Sequence, residues 1–122
     1  MLLDSNSDKP VYAQLVEAIE DDILREIFKE DSKIISTTEM SVQLRINPGT
    51  ALKAINLLAD DEIIYKKRGV GMFVYKGAKK KIMNKRKKSF REIFVLPMMK
   101  EADKLKISKK EINEMMEGSK EV

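Results

Sequence analysis

The 122-residue sequence contains no cysteine and no histidine, and these absences narrow the chemistry available to it. Without cysteine there are no disulfides and no thiolate metal sites. Without histidine there is no imidazole base, imidazole metal ligand or neutral-pH switch. We expect neither a metal nor a cofactor. An enzyme is the poorest fit, because the sequence also lacks a phosphate-binding glycine loop and a nucleophile arrangement.

Long apolar runs are also missing. No stretch approaches the roughly 20 consecutive apolar residues that span a bilayer, and the N-terminus lacks a signal-peptide pattern, so we expect a cytoplasmic protein. A hydrophobic fraction of 43% with 36% charged residues is ordinary for a globular chain. The length leaves room for one compact domain and an appendage.

Acidic residues are absent from one long window. Residues 66–91 carry 12 of the 24 Lys and Arg and no Asp or Glu, whereas residues 1–65 carry 6 basic against 13 acidic residues. Such a concentration of one sign indicates a surface for a polyanion. The alternative interpretation is a solvated charged surface with no partner.

The first periodic segment follows Pro10, and its pattern predicts a scaffold helix. Apolar residues recur every fourth position, at Val11, Leu15, Ile19, Ile23 and Ile27. The acidic residues of this helix are expected mostly on its opposite side; they are Glu17, Glu20, Asp21 and Asp22.

A helix-turn-helix is predicted next. A short strand at residues 33–35 leads into Ser36-Thr37-Thr38-Glu39, which has the spacing of a capping box and predicts a helix over residues 37–44. Asn47 is a favoured N-cap and Pro48 suits the first position of a second helix at about residues 48–59. Its buried face is expected to contain Ala51, Ile55, Leu58 and Ala59.

The other face of this second helix presents Thr50, Lys53 and Asn56, whose side chains can bond to base edges or phosphates. An amphipathic helix with an ordinary polar outer face is the alternative. The segment that follows favours DNA binding. Two β-rich segments at residues 63–65 and 72–75 flank Lys66-Lys67-Arg68-Gly69-Val70-Gly71, which predicts a hairpin with three cations at its tip and glycines at positive φ.

Helix, turn, helix and basic hairpin, in this order, predict a winged helix-turn-helix. The predicted fold is mainly α with a small β-hairpin wing (α+β), with a DNA-binding domain at residues 1–77 and two C-terminal helices in residues 78–122. The first of these helices should extend to about Lys106 with a kink at Pro97, and a capping box from Ser108 to Glu111 should open the second.

The two C-terminal helices carry apolar stripes but have no third element to cover them. We therefore expect residues 78–122 to form a homodimer. The expected dimerisation residues are Phe90, Ile93, Phe94, Met98, Leu105, Ile112 and Met115.

Several of these motifs resemble those of the GntR family. Asp8-Lys9-Pro10-Val11-Tyr12-Ala13-Gln14-Leu15 is similar to the family's D-x-P-[IV]-Y-x-Q-[IL] start, and Ile35-Ser36-Thr37-Thr38-Glu39-Met40 to its P-S-x-R-E-L. Asn47-Pro48-Gly49-Thr50-Ala51 resembles the N-P-x-T-V of the YtrA-type branch, and Gly69-Val70-Gly71-Met72-Phe73-Val74 the wing's G-x-G-T-F-V. The resemblance implies a dimeric prokaryotic transcription factor, usually a repressor, whose short C-terminal helices dimerise.

The sequence departs from the family pattern at several places. Thr38 replaces a common arginine, Ile35 replaces a proline, and Pro48 and Leu52 stand where arginines are widespread in the recognition helix. We therefore expect other basic side chains to supply the positively charged contacts with DNA. We expect the DNA partner to be a palindromic operator. The residues expected to contact it are Ser36, Thr37, Thr38, Arg45, Asn47, Pro48, Gly49, Thr50, Lys53, Asn56, Lys67, Arg68, Gly69 and Gly71.

Three alternatives remain open from the sequence. The chain could be an architectural DNA binder without a preferred site or a winged-helix module for protein association, or its residues 76–91 could form a polybasic membrane-surface segment. The sequence specifies neither the operator nor an effector. A pocket of the usual ~300–1,000 Å³ would have to lie at a domain or dimer interface.

Overall fold

The structure is a computed structural model and describes residues 1–118. Contacts divide it into two compact units, one up to Met83 and one from Asn84 onwards. In the first unit, α1 (Val11–Leu24) is followed by β1 (Lys33–Ile34), α2 (Thr37–Leu44), α3 (Pro48–Asp60), β2 (Ile64–Lys67) and β3 (Gly71–Val74). Then α4 (Ala78–Phe90) crosses into the second unit, where a π-helical segment (Arg91–Val95), α5 (Leu96–Lys104) and α6 (Lys109–Gly118) follow.

The first unit is a winged helix-turn-helix, as predicted. Its core is built from the inward faces of α1, α2, α3 and the sheet, together with the first turns of α4. Ala78 and Ile82 of α4 are both fully buried in this cluster. The winged unit therefore uses residues beyond 77, and the boundary between the predicted domains stays a prediction. Residues 119–122 of the predicted dimerisation region lie outside the described residues.

The sheet has three antiparallel strands in the order β1-β3-β2. Tyr65 pairs with Phe73 in the hairpin, and Lys33 of β1 pairs with Phe73 on the other side of β3. The hairpin was predicted from local sequence, and so was the short strand at β1. The pairing of β1 with β3 adds a strand to the wing and fixes the hairpin to the rest of the fold.

The apolar stripe of α1 is shorter than predicted. Leu15, Ile19 and Ile23 are fully buried, but Val11 and Ile27 are exposed. The helix ends at Leu24 because Glu26 adopts a positive φ of 64° and the amides of Ile27 and of its neighbour Phe28 donate to the carbonyl of Asp22.

Two acids of α1 were placed on the wrong side. Glu20 and Asp22 are buried rather than solvent-facing. In α3, Ala54 is buried, whereas Ala59, which was expected on the buried face, is exposed. These errors share a cause. The periodicity of one helix predicts which residues share a face, but which of them are buried also depends on the elements that pack against the helix.

The long C-terminal helix is continuous over residues 78–104, and its irregularity lies just before Pro97. There the amide of Leu96 donates to the carbonyl of Arg91, which is the wider spacing of a π-helix. Proline lacks an N–H and its ring collides with the carbonyl four residues earlier, so a wider turn accommodates it.

The second unit has little core of its own. Ala102 is its one buried apolar residue among those the structure describes. Met115 and Met116 of α6 are about half exposed in the single chain. The Phe90 and Phe94 rings lie 5.4 Å apart, centroid to centroid, on the exposed surface.

Candidate nucleic-acid interface

The helix-turn-helix is fixed by caps at both helix starts. The Ser36 hydroxyl accepts the amide of Glu39 at 3.0 Å, and the Glu39 carboxylate accepts the amide of Ser36 at 3.5 Å, which is the predicted capping box. The Asn47 side-chain oxygen accepts the amide of Gly49 at 2.7 Å, with Pro48 in the first turn of α3. Both caps satisfy backbone donors that the helices leave unpaired.

Arg45 ends α2 and makes the turn. Its backbone is left-handed, with φ 53° and ψ 48°, and its amide donates to carbonyls in the last turn of α2. The next amide, of Ile46, bonds back to the Ser41 carbonyl at 3.1 Å. The Arg45 side chain is exposed beside the start of α3. This position places a cation at the junction of the two helices.

The outward face of α3 carries the predicted polar residues. Lys53 and Asn56 are exposed and Thr50 is half-buried, while Ala51, Ile55 and other apolar residues of α3 lie in the core. Residues three apart lie on one side of a helix, so this face groups a hydroxyl, an ammonium and an amide. These groups include both donors and acceptors for base edges.

Four of the predicted contact residues have structural duties as well. The Ser36 hydroxyl and the Asn47 oxygen are engaged in caps, and Thr37 directs its hydroxyl to the Met72 sulfur at 3.9 Å. At Gly49, an added Cβ would lie 3.0 Å from the Asn47 oxygen, so glycine leaves room for the cap. By contrast, the Thr38 side chain is exposed.

The wing turns at Arg68-Gly69-Val70. The Val70 amide donates to the Lys67 carbonyl at 2.9 Å, and Gly69 has φ +76° and Gly71 φ +143°, as expected for glycines of this turn. Lys66 and Lys67 belong to β2 instead of the tip, which leaves Arg68 as the basic residue of the turn. The strands extend further towards the turn than the sequence pattern indicated.

Side chains of the sheet support the wing. The Lys67 ammonium lies 4.7 Å from the centroid of the Phe73 ring, which itself stacks on Tyr65. The stem of Lys33 passes so close to Gly71 that an added Cβ there would lie 2.5 Å from it. Position 71 therefore favours glycine for its backbone, and a larger residue there would also displace the end of the Lys33 side chain.

Part of the basic window is used within the fold. Lys79 and Lys81 of α4 pair with Glu26 and Glu62 at 3.1 and 3.3 Å. These exposed pairs contribute little stability but lower the net charge that α4 offers to a polyanion.

Two residues near the interface were not predicted from the sequence to belong to it. The Lys53 ammonium lies 3.9 Å from the centroid of the Tyr12 ring in α1, and Lys33 lies beside the wing. Tyr12 lies in the first turn of α1, and no local spacing links it to α3. A pairing between distant segments leaves no such signal in a single sequence.

The predicted dimerisation residues are mostly exposed within one chain. Phe90, Ile93, Phe94, Leu105 and Met115 each expose more than half of their surface. Met98 is 43% exposed and Ile112 is half-buried. Between α5 and α6 lies an apolar groove of about 440 Å³, lined by Met98, Ala102, Leu105, Ile107, Ile112, Met115 and Met116 with Glu101.

Within residues 1–118, no three acidic side chains are grouped so that they could hold a metal ion. Over the same residues, no helix is long and apolar enough to cross a membrane.

Known proteins are similar to this chain in both sequence and fold. The chain matches no protein-family model. A GntR-family protein from Bacteroides thetaiotaomicron is 35% identical, and the match covers 92% of this chain and 97% of that one with a TM-score of 0.80. The AraR DNA-binding domain in complex with operator ORE1 is 33% identical over 60% of this chain and 89% of that one, with a TM-score of 0.53.

A curated relative is the HTH-type transcriptional repressor YtrA of Bacillus subtilis. It is 31% identical over 77 residues, which are 63% of this chain and 59% of YtrA, so the match spans less than two thirds of the length of that relative. The Bacteroides protein, in contrast, is matched over nearly its whole length, through both the winged unit and the C-terminal helices. The chain belongs to the GntR family of transcriptional regulators.

Proposed function

We propose that the chain is a sequence-specific DNA-binding regulator that represses transcription as a homodimer in a prokaryotic cytoplasm, and that it belongs to the YtrA-type branch of its family. In this proposal α3 enters the major groove, and the wing at residues 66–72 touches the backbone or the minor groove. The observation that carries it is the outward polar face of α3, where Lys53 and Asn56 are exposed and Thr50 is half-buried, on a helix capped at Asn47.

Charge supports the choice of a polyanion as partner. Arg45 lies at the start of α3, Arg68 forms the wing turn, and the window from residue 66 to residue 91 contains no acid. Lysine and arginine side chains that neutralise phosphates release condensed counterions, which supplies most sequence-independent affinity. Phosphate contacts then orient the protein, and base contacts select the sequence.

Related proteins support DNA as the ligand and the YtrA-type branch as the place of this chain in its family. The AraR DNA-binding domain, whose structure was solved with an operator, matches 60% of this chain. YtrA is named as a repressor. We infer that this chain also binds a duplex operator.

The second unit supports the homodimer. Its apolar side chains are exposed in the single chain, and a second copy would cover them. Two-fold dimers present two recognition helices related by symmetry, so the operator should be palindromic, with half-sites one or more helical turns apart.

Within this proposal the contact residues have different roles. We assign Thr50, Lys53 and Asn56 to base edges, because they lie on the outward face of α3. We assign Arg68, together with Lys67, to the backbone, because they lie in or beside the wing turn. Ser36, Thr37 and Asn47 contribute through the caps and hydroxyls that position the two helices.

A second candidate is an architectural binder without a preferred site, which the long basic window favours. The two candidates differ in selectivity. Selection of bound fragments from the source genome, followed by titration of a selected and a scrambled duplex at one salt concentration, distinguishes them. We expect a common palindromic element and affinities that differ by at least about 10³-fold. Equal affinities for the two duplexes would favour the architectural binder.

Two variants test the assignment of roles. Arg68→Ala should weaken binding to both duplexes by a similar factor, because a phosphate contact is independent of sequence. Lys53→Ala should weaken the selected duplex more than the scrambled one. The assignment is wrong if both variants lose the same factor on both duplexes.

A further inference from the structure

The N-terminal motif Asp8 to Leu15 resembles the family pattern, yet the proposed function does not use it. The structure gives several of its residues separate duties. Leu15 is fully buried in the core. Gln14 holds the N-terminal arm, since its amide nitrogen donates to the carbonyls of Asp4 and Lys9 and its oxygen accepts the Asp4 amide. Tyr12 remains, half-buried against the core and in contact with α3.

The contact of Tyr12 is with Lys53. The Lys53 ammonium lies 3.9 Å from the centroid of the ring, well inside the range of about 6 Å for a cation–π interaction. The corresponding distances are 4.7 Å for Lys67 over Phe73 and 5.5 Å for Lys81 over Tyr75. The contact links α1 to α3, two helices that pack against each other through the core.

A lysine on an exposed helix face loses conformational entropy when it contacts a base, unless another group already restricts it. Its four-carbon stem samples many rotamers, and this rotamer entropy must be overcome when the side chain is fixed. Lys53 has no carboxylate partner within the described residues 1–118, so no ion pair fixes it. The ring of Tyr12 is the group that limits where the ammonium lies.

We propose that Tyr12 is a positioning residue for sequence recognition: it holds the Lys53 ammonium on the outward face of α3, so that the side chain meets its base already ordered. This inference rests on the proposed function. The ring lies on α1, outside the helix-turn-helix, and it acts through Lys53. Its effect is therefore on the discrimination between sequences and not on general affinity for DNA.

A different role for the contact is purely structural, namely that it ties α1 to α3. The two roles have different consequences. Loss of a structural tie would lower the stability of the winged unit and weaken selected and scrambled DNA together. Loss of a positioning contact would lower the ratio of the two affinities and would have no effect once Lys53 is gone.

The test compares Tyr12→Leu, Tyr12→Phe and wild type, each with and without Lys53→Met, in the full chain. Tyr12→Leu should lower the ratio of affinities for selected and scrambled duplex by about two- to fivefold, the equivalent of an exposed cation–π contact. Tyr12→Phe keeps the ring face and should retain the wild-type ratio. In the Lys53→Met background, Tyr12→Leu should cause no further change.

Tyr75→Leu is the matched control, because the lysine over the Tyr75 ring is Lys81 of α4 and not a residue of α3. It should leave the ratio unchanged. A second readout needs no DNA: the ε-methylene protons of Lys53 should show an upfield ring-current shift by NMR that disappears in Tyr12→Leu and persists in Tyr12→Phe.

Three results would overturn the inference while leaving the proposed function intact: an unshifted Lys53 resonance in wild type, an unchanged ratio in Tyr12→Leu, or the same loss with and without Lys53. A rise in the ratio in Tyr12→Leu would also overturn it, since the ring would then hold Lys53 away from DNA. A wild-type protein that binds both duplexes equally would instead contradict the proposed function and this inference together.

Discussion

Arg45 has two properties that a substitution can separate. Its left-handed backbone, at φ 53°, suits glycine, while its guanidinium is exposed and is proposed to contact DNA. Arg45→Gly should therefore keep or slightly raise the melting temperature, by relieving up to about 1 kcal/mol of backbone strain, and should weaken DNA binding. Thermal unfolding and duplex titration on the same preparation measure both effects.

Lys106→Gly is the matched control for Arg45→Gly. Lys106 is also left-handed, at φ 56°, and its loss removes one positive charge as well, but it lies in the turn between α5 and α6. It should affect stability in the same direction and leave duplex affinity nearly unchanged. If the two variants weakened DNA binding equally, the effect at Arg45 would be one of net charge alone.

At the residue scale, local interactions were predictable and distant ones were not. Ser36 and Asn47 were recognised as caps because a cap depends on residues two or three positions away. The burial of Glu20 and the contact of Tyr12 with Lys53 depend on elements that meet only in the folded chain, and one sequence contains no signal for such pairs.

At the scale of elements, the start of α4 depends on a carboxylate from a loop far away in sequence. Glu30 accepts the amide of Lys79 at 3.0 Å. Hydrogen bonds from the backbone amides of Gly77 and Lys79 keep the pKa of the Glu30 carboxyl below its ordinary value, as expected for an anion at a helix N-terminus.

A lowered pKa gives the sign of the pH dependence. The folded state favours the ionised carboxylate, so its stabilising effect is present above the unfolded-state pKa and is lost as the pH falls through the folded-state pKa. Glu30→Gln should therefore lower the melting temperature at neutral pH, and its difference from wild type should shrink as the solution is acidified. Glu114→Gln, at an exposed site in α6, should cause no comparable change. A difference independent of pH would contradict this account.

The helices and the hairpin were predicted well because periodicity, caps and glycines are local signals. Two features of the elements could not be read in that way. The pairing of Lys33 in β1 with Phe73 in β3 joins distant residues, and the π-helical segment before Pro97 is one of several ways to accommodate a proline. Choosing between them requires the backbone geometry.

At the scale of the whole molecule, the central question for residues 84–118 is what covers their apolar surface. Burial of each large side chain contributes about 1.5–3 kcal/mol, and Phe94 is 61% exposed in the single chain. Phe94→Asp should therefore dissociate the proposed dimer, because it places a charge in the interface while every Lys and Arg stays in place. Sedimentation equilibrium at micromolar concentration measures the result.

Asn84→Asp is the control for Phe94→Asp, since it makes the same change in charge at an exposed polar site of the same continuous helix. It should remain dimeric. A Phe94→Asp protein that stays folded and dimeric would show that any dimer is formed by the first helix or the N-terminal arm.

The most direct test of the account is the dependence of duplex affinity on salt. If the basic residues around α3 and the wing neutralise phosphates, log K should fall linearly with log salt concentration, with about −0.9 in slope for each phosphate neutralised. A dimer should show a slope of several units on the selected duplex. A slope near zero, or no binding of duplex DNA at low salt, would contradict the conclusion that this protein works by binding DNA.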